Sequence, residues 1–121
     1  MSLADYANAK EYLEKALAIA IEIGDREGEG LRYGNLGTVF MSFADYANAK
    51  EYVEKALAIA IEIGDRKVEG SCYANLGDVF MSLGDYVKAK EYYQKSLAIA
   101  TEIGDRSGEA RSRLFLGRAL L

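Results

Sequence analysis

The chain holds 121 residues, half of them apolar and 28% charged, with a net charge of −4 and no histidine, proline or tryptophan. Well-mixed charge without a basic stripe argues against a nucleic-acid partner. Without histidine there is no imidazole acid–base chemistry, no histidine metal site and no Ser-His triad. The longest strictly apolar run, Ala16–Ile21, is far short of the ~20 residues that span a bilayer, so no membrane partner is expected. No charged-then-apolar leader is visible. Cys72 is the sole cysteine, which fits a reducing compartment. A cytoplasmic location follows as the expectation, with Cys72 a small half-buried side chain rather than a reactive thiol.

Self-similarity organises everything else. A shift of forty residues aligns Met1–Phe40 with Met41–Phe80 and then with Met81–Leu120. The first two copies differ only at unit positions 3, 13, 27, 28, 31, 32, 34 and 38. Near-identity means recent duplication or deliberate idealisation, and the scattered changes at Val68 and Cys72 lean toward a natural origin. Residues 1–121 are expected to form one domain of units 1–40, 41–80 and 81–121.

The first element is a long helix over about Ala4–Gly24. Tyr6, Ala9, Leu13, Ala16, Ala20 and Ile23 recur at steps of three and four and draw one apolar stripe. Asp5 is placed as its N-cap and Gly24 as its left-handed C-terminal residue. Glu11 and Lys15 stand four apart in the favourable order, repeated by Glu51 with Lys55 and Glu91 with Lys95. A shorter helix follows over Arg26–Ser42, with Tyr33, Leu36, Gly37 and Phe40 on one side. Its glycines at 28, 30, 34 and 37 each cost ~1 kcal/mol against alanine, so neighbours rather than local propensity must hold it. Gly37, Gly77 and Gly117 share one unit position, which points to close approach of two helix backbones. The other glycines have no such role here, and Gly28–Gly34 is expected to be the loosest helical stretch. The same long–short pair recurs twice more, with Asp65-Arg66 and Glu69 as a turn and helix start. The last helix covers Ser107–Leu121, giving about six helices in all.

The run Tyr33-x-Asn35-Leu36-Gly37-x-x-Phe40, then Asp45-Tyr46-x-x-Ala49 and Ala56, resembles the tetratricopeptide (TPR) signature. Tyr73, Leu76, Gly77, Phe80 and Ala89 repeat it, so the resemblance covers essentially the whole chain. Three departures stand: Ser96 replaces the later alanine, the closing proline is missing, and the unit is forty residues rather than ~34. The combination of NLG, GDY, KAL-x-IA and EIGDR looks like the long-repeat branch of Pins/LGN-type adaptors and, more distantly, kinesin light chains. HEAT and armadillo arrays share the period without the Leu-Gly and alanine positions. The resemblance implies an all-α, right-handed superhelical solenoid of stacked antiparallel helix pairs.

It also implies a non-catalytic scaffold whose partner is a protein or peptide segment held on a concave face lined by the short helices. Carried over position by position, that face includes Leu31, Gly34, Asn35, Thr38 and Ser42. From the next short helix come Ser71, Ala74, Asn75, Asp78 and Ser82, and from the last Arg111, Leu114, Phe115 and Arg118. Asn35 and Asn75 are the preferred contacts, because an amide donates to and accepts from a peptide backbone at once. Positions 34, 38, 74 and 78 are Gly, Thr, Ala and Asp, so the basic pair that clamps a C-terminal carboxylate in chaperone-binding relatives is not matched. Arg111 and Arg118 are placed to pair with an acidic group or merely to solubilise.

No cofactor or metal ligand set is visible, and the glycines lack the strand and the GK[ST] ending of a phosphate loop. Paired catalytic carboxylates are not expected either, since the acidic residues fall on caps and exposed i,i+4 positions. The alternative to a peptide scaffold is a self-assembling module. The order long, short, long, short, long, short leaves the first helix without a partner in front and the last without one behind. Such ends are complementary in a heterologous contact. Tyr6, Leu13 and Leu120 are the candidates for it. Arg113 and Phe115 depart from the motif, so the last helix is expected to be partly capped and the first the stickier end.

Overall fold

The computed structural model describes residues 2–119, with side chains as far as Gly117. Among these residues six helices follow in order: α1 (Leu3–Ile23), α2 (Arg26–Ser42), α3 (Tyr46–Ile63), α4 (Arg66–Ser82), α5 (Tyr86–Ile103) and α6 (Arg106–Ala119). The helices divide into two compact units, 1–63 with α1–α3 and 64–121 with α4–α6. Within the first, α2 packs on α1 and α3; within the second, α5 packs on α4 and α6.

Local chemistry accounts for the helix limits. Asp25, Asp65 and Asp105 each accept a hydrogen bond from the backbone N–H three residues on, Gly28, Val68 and Gly108. This satisfies one orphan donor of each short helix. Asp45 and Asp85 do the same for α3 and α5. The first helix differs from expectation. Ser2, not Asp5, is its N-cap, and Ser2 and Asp5 bond reciprocally in a capping box. A serine three residues ahead of an aspartate supplies that pair, which adds Leu3 to the helix. The last helix likewise starts one residue earlier than expected, at Arg106. Gly24, Gly64 and Gly104 end the long helices with φ of 71–74°, where a side chain is strained.

Gly37 and Gly77 do mark close approach. A Cβ on Gly37 would stand 2.7 Å from Val53 Cγ2 and 3.4 Å from the Ala49 carbonyl oxygen; one on Gly77 would enter the Tyr93 ring, 2.6 Å from Cδ1. Gly117 does not, for nothing described lies within 4 Å of a Cβ there. The other glycines are not idle either. Gly30 faces Ile59 Cγ2 at 3.0 Å and Gly70 faces Ile99 Cγ2 at 3.1 Å, so isoleucine side chains fill the space a methyl would need.

Around these contacts lies the core. In unit 1 Leu36, Val53 and Ala49 are fully buried; in unit 2 Leu76, Val79 and Tyr93 are. Each leucine contributes about 1.5–3 kcal/mol by leaving water. Ring stacks border both cores: Phe40 on Tyr52 at 5.3 Å and Phe80 on Tyr92 at 5.5 Å. Glu11–Lys15 and Glu51–Lys55 pair as expected. Glu91 and Lys95 do not pair, and the Lys95 ammonium instead lies over the Tyr73 and Tyr92 rings, 5.4 Å from each.

Candidate binding faces

In unit 1, α2 turns Gly37, Leu36 and Val39 into the core and leaves Leu31, Asn35, Thr38 and Ser42 exposed. This follows from the helical period: residues three and four apart share a side. Thr38 Oγ1 donates to the Gly34 carbonyl at 3.2 Å and Ser42 Oγ to the Thr38 carbonyl at 3.1 Å. Both hydroxyls are therefore turned back on their own helix. The Asn35 amide makes no hydrogen bond among the described residues.

Unit 2 brings three of the expected site residues together. Asp78 on α4 accepts from the Tyr93 hydroxyl at 2.7 Å and faces Arg111 of α6 at 3.6 Å. The Arg111 guanidinium lies 5.5 Å from the centre of the Phe115 ring. Phe115 in turn stacks on Tyr93 at 5.3 Å. Burial pushes the Asp78 carboxyl above the ordinary range, against the opposing pull of Tyr93 and Arg111. Asp78, Arg111 and Phe115 thus also tie α4, α5 and α6 to one another. Asn75 sits half-buried on α4, and its amide too is uncommitted among the described residues. The side chain of Arg118 and all of Leu120 lie outside the described residues.

Sequence reasoning did not find Tyr93, although the repeats carried a sign of it. Relative to the preceding copy, Tyr93 replaces Val53 and Asp78 replaces Thr38, and the two changed side chains meet. Ser96 and Ser112 are a second such pair. They replace Ala56 and Cys72, both are buried, and Ser112 Oγ donates to Ser96 Oγ at 3.2 Å. A buried hydroxyl is costly alone and tolerable when paired.

A cavity of about 30 Å³ lies beside Ser96 and Ser112, with Lys67, Ser71 and Arg111 also in its lining. That is room for about two waters and too little for a small-molecule ligand. Among the described residues no acidic or cysteine cluster has the geometry to hold a metal ion. Cys72 is buried, not half-buried, and burial above all lifts its thiol to about 11, with Asp65 and Glu69 adding to the shift. At neutral pH it is no nucleophile. No described helix is long and apolar enough to cross a membrane.

Tyr6 and Leu13 are already engaged inside unit 1. The Tyr6 ring centre lies 4.0 Å from that of Phe43 and 6.2 Å from that of Phe40, and Leu13 is 9% exposed. The open side of α1 carries other residues, Tyr12 at 67% and Ile19 at 57% exposure.

One further feature recurs in both units. Arg26 of α2 bonds Glu29 at 2.8 Å on its own helix and Glu62 of α3 at 2.7 Å. Arg66 makes the same pair of contacts with Glu69 and Glu102. The Arg26 guanidinium holds the Glu62 carboxyl below its ordinary range, and both arginines are held above theirs by their carboxylates. The repeated EIGDR segment therefore clasps consecutive helices. The thirty-six-residue separation hid the clasp from a reading of local spacing.

The family model described as tetratricopeptide repeat matches residues 1–62 and 70–121. Among solved structures, the chain is similar to the crystal structure of BtubC (BKLC) from P. vanneervenii, with a TM-score of 0.86 at 23% identity. That alignment covers 96% of this chain and 49% of the other, so the chain spans about half that protein's length. At this identity the likeness speaks for the fold, an all-α solenoid of TPR helices. No curated protein matches the sequence.

Proposed function

This chain belongs to the tetratricopeptide repeat family, and we propose on that footing that it is a non-catalytic scaffold binding an extended or helical segment of another protein. Repeats of this family generally mediate protein–protein interaction. In unit 1 a ligand would meet Asn35 and Thr38 of α2; in unit 2, taken by itself, it would meet Asn75 and Asp78 of α4 with Arg111 and Phe115 of α6. One observation carries the reading: the Asn35 and Asn75 amides, repeated at one unit position, make no hydrogen bond among the described residues. An amide of this kind offers a donor and an acceptor to a peptide backbone without first breaking a bond. Asp78 and Arg111 already face one another, so they suit the edge of a contact more than its centre. The forty-residue unit with its EIGDR clasp favours the long-repeat branch resembling Pins/LGN-type adaptors, and a cytoplasmic setting agrees with a buried, unpaired cysteine.

The experiment is a peptide-display screen followed by titration of the best ligand. Asn35→Ala combined with Asn75→Ala is expected to weaken that ligand about tenfold, the size of one or two net hydrogen bonds, at unchanged melting temperature. Unchanged affinity would remove both asparagines from the binding face.

A second reading, self-assembly through the end helices, is favoured by a different observation. The outer side of α1 exposes Ile19, whose counterparts Ile59 in α3 and Ile99 in α5 are buried.

A further inference from the structure

We infer that two copies of this chain dock head to tail, α6 of one against α1 of the next, as a helix pair of the same kind as α2 with α3. The inference rests on the self-assembly reading and names its contact.

The template is present twice within the chain. In unit 1, α2 meets α3 through the Arg26–Glu62 clasp, Gly30 against Ile59, Tyr33 against Tyr52 and Gly37 against Val53. In unit 2, α4 meets α5 through Arg66–Glu102, Gly70 against Ile99, Tyr73 against Tyr92 and Gly77 against Tyr93. Moved by forty residues, the second member of each contact falls on α1, as Glu22, Ile19, Tyr12 and Leu13. The first member falls on α6, as Arg106, Ala110, Arg113 and Gly117.

Apart from Leu13, which is 9% exposed and packs within its own unit, both half-sets are open. Ile19 is 57% exposed, whereas Ile59 and Ile99 are 4% and 5% exposed. Tyr12 is exposed, whereas Tyr52 and Tyr92 are half-buried in stacks. A Cβ on Gly117 meets nothing described, in contrast with Gly37 and Gly77. Neither Glu22 nor Arg106 has an ion-pair partner among the described residues, although the matching Glu and Arg are clasped in both units.

Charge identifies the occupant. Glu22 on α1 and Arg106 on α6, each without an ion-pair partner among the described residues, are the two halves of a bond this chain makes twice already, and one molecule carries both. The two departures on α6 are compatible with the pairing. Ala110 adds one methyl where Gly30 leaves 3.0 Å to Ile59 Cγ2, a shortfall that a few tenths of an ångström relieve. Arg113, bonded to Glu109 at 2.7 Å, presents a flat guanidinium to Tyr12, a cation–π partner in place of the second tyrosine ring.

The test is molar mass against concentration, by sedimentation equilibrium on the full chain. Mass should rise with concentration. Ile19→Asp and Gly117→Val, both at sites open among the described residues, should each weaken association about tenfold or more with the helical circular dichroism kept and the dilute chain no less stable. Glu22→Arg alone and Arg106→Glu alone should stay monomeric, because each juxtaposes like charges. Their equimolar mixture should recover the mass of the parent chain, since each then supplies the other's missing sign. A parent chain monomeric at every concentration overturns the inference together with the self-assembly reading. Association that ignores Ile19→Asp and Gly117→Val, or a mixture that fails to recover, overturns this contact while leaving self-assembly by another surface standing.

Discussion

In unit 1 the close-approach glycine of α2 rests on Val53, and the threonine beside it, Thr38, turns its hydroxyl back to its own helix. In unit 2 the same glycine position rests on the Tyr93 ring, and the neighbouring residue is Asp78, which takes the ring's hydroxyl. A branched aliphatic contact has become an aromatic contact with a polar tether reaching from α5 to α4 and on to Arg111 of α6. Two substitutions forty residues from their counterparts converted one interface into the other, and neither is intelligible alone. A tyrosine without Asp78 loses the acceptor of its hydroxyl, and an aspartate without Tyr93 loses the donor that favours its charged form and keeps only the longer contact to Arg111.

Transplanting the second interface into the first is the strongest way to break this comparison. Val53→Tyr alone should cost about 3 kcal/mol, an overpacked ring with an unsatisfied hydroxyl. Adding Thr38→Asp should return about 1 kcal/mol, the coupling expected of contacting residues. Urea melts of the four members of the cycle measure it, and simple additivity would mean that the pair is not one unit.

The glycines give the next effect. Gly77→Ala should lose about 2 kcal/mol, since the added methyl enters a buried ring. Gly117→Ala, with open space around it, should instead gain up to about 1 kcal/mol from helix propensity. Thermal melts of the two variants should shift in opposite directions.

The turn before the second long helix differs as well. Ala44 holds φ 58° in unit 1, where the next copy has Gly84 at φ 79° in unit 2. Left-handed backbone costs a residue with a Cβ about 1 kcal/mol. Ala44→Gly should therefore raise stability by about that amount and Gly84→Ala lower it, both read from denaturation midpoints.

The smallest effect is one of pH. Burial raises the Asp78 carboxyl above its unfolded value, so in the window between the two the folded chain binds a proton that the unfolded chain does not. Its contribution to stability therefore grows as pH falls through the folded pKa and levels off below the unfolded value of about 3.9. Asp78→Asn should remove this component from a midpoint-against-pH curve. Tyr93→Phe, which deletes a donor that favours the charged form, should enlarge it. Unit 1, with Thr38 at the same place, has no equivalent.

Much of this was legible from residues alone. The limits of α2, the capping aspartates and the alternation of long and short helices follow from spacing and from the shape of a few residues, both of which act within one turn of chain. The close approach at Gly37 and Gly77 was legible too, because repetition showed a position that tolerates no side chain. The glycine at 117 carried the same mark and meets no neighbour among the described residues. Sequence shows that space is kept; it does not show what fills it. Ser2 was passed over because Asp5 satisfies the same local rule, and only reciprocal bonding chose between them.

What the sequence by itself determined is everything governed by contacts a turn apart: helix existence, most of the ends, the repeat and the family resemblance. Tertiary structure decided which of the exposed-looking polar residues were already spent. Asp78 and Arg111 read as ligand contacts and face each other; Asn35 and Asn75 read the same way and keep their amides open. The Arg26–Glu62 and Arg66–Glu102 clasps join residues thirty-six apart, and Tyr93 finds Asp78 fifteen residues back across a helix pair. The physical reason is one of reach. A cap or a stripe is fixed by backbone geometry that the chain carries with it, whereas a side-chain partner on another helix exists only once packing has brought the two within bonding distance.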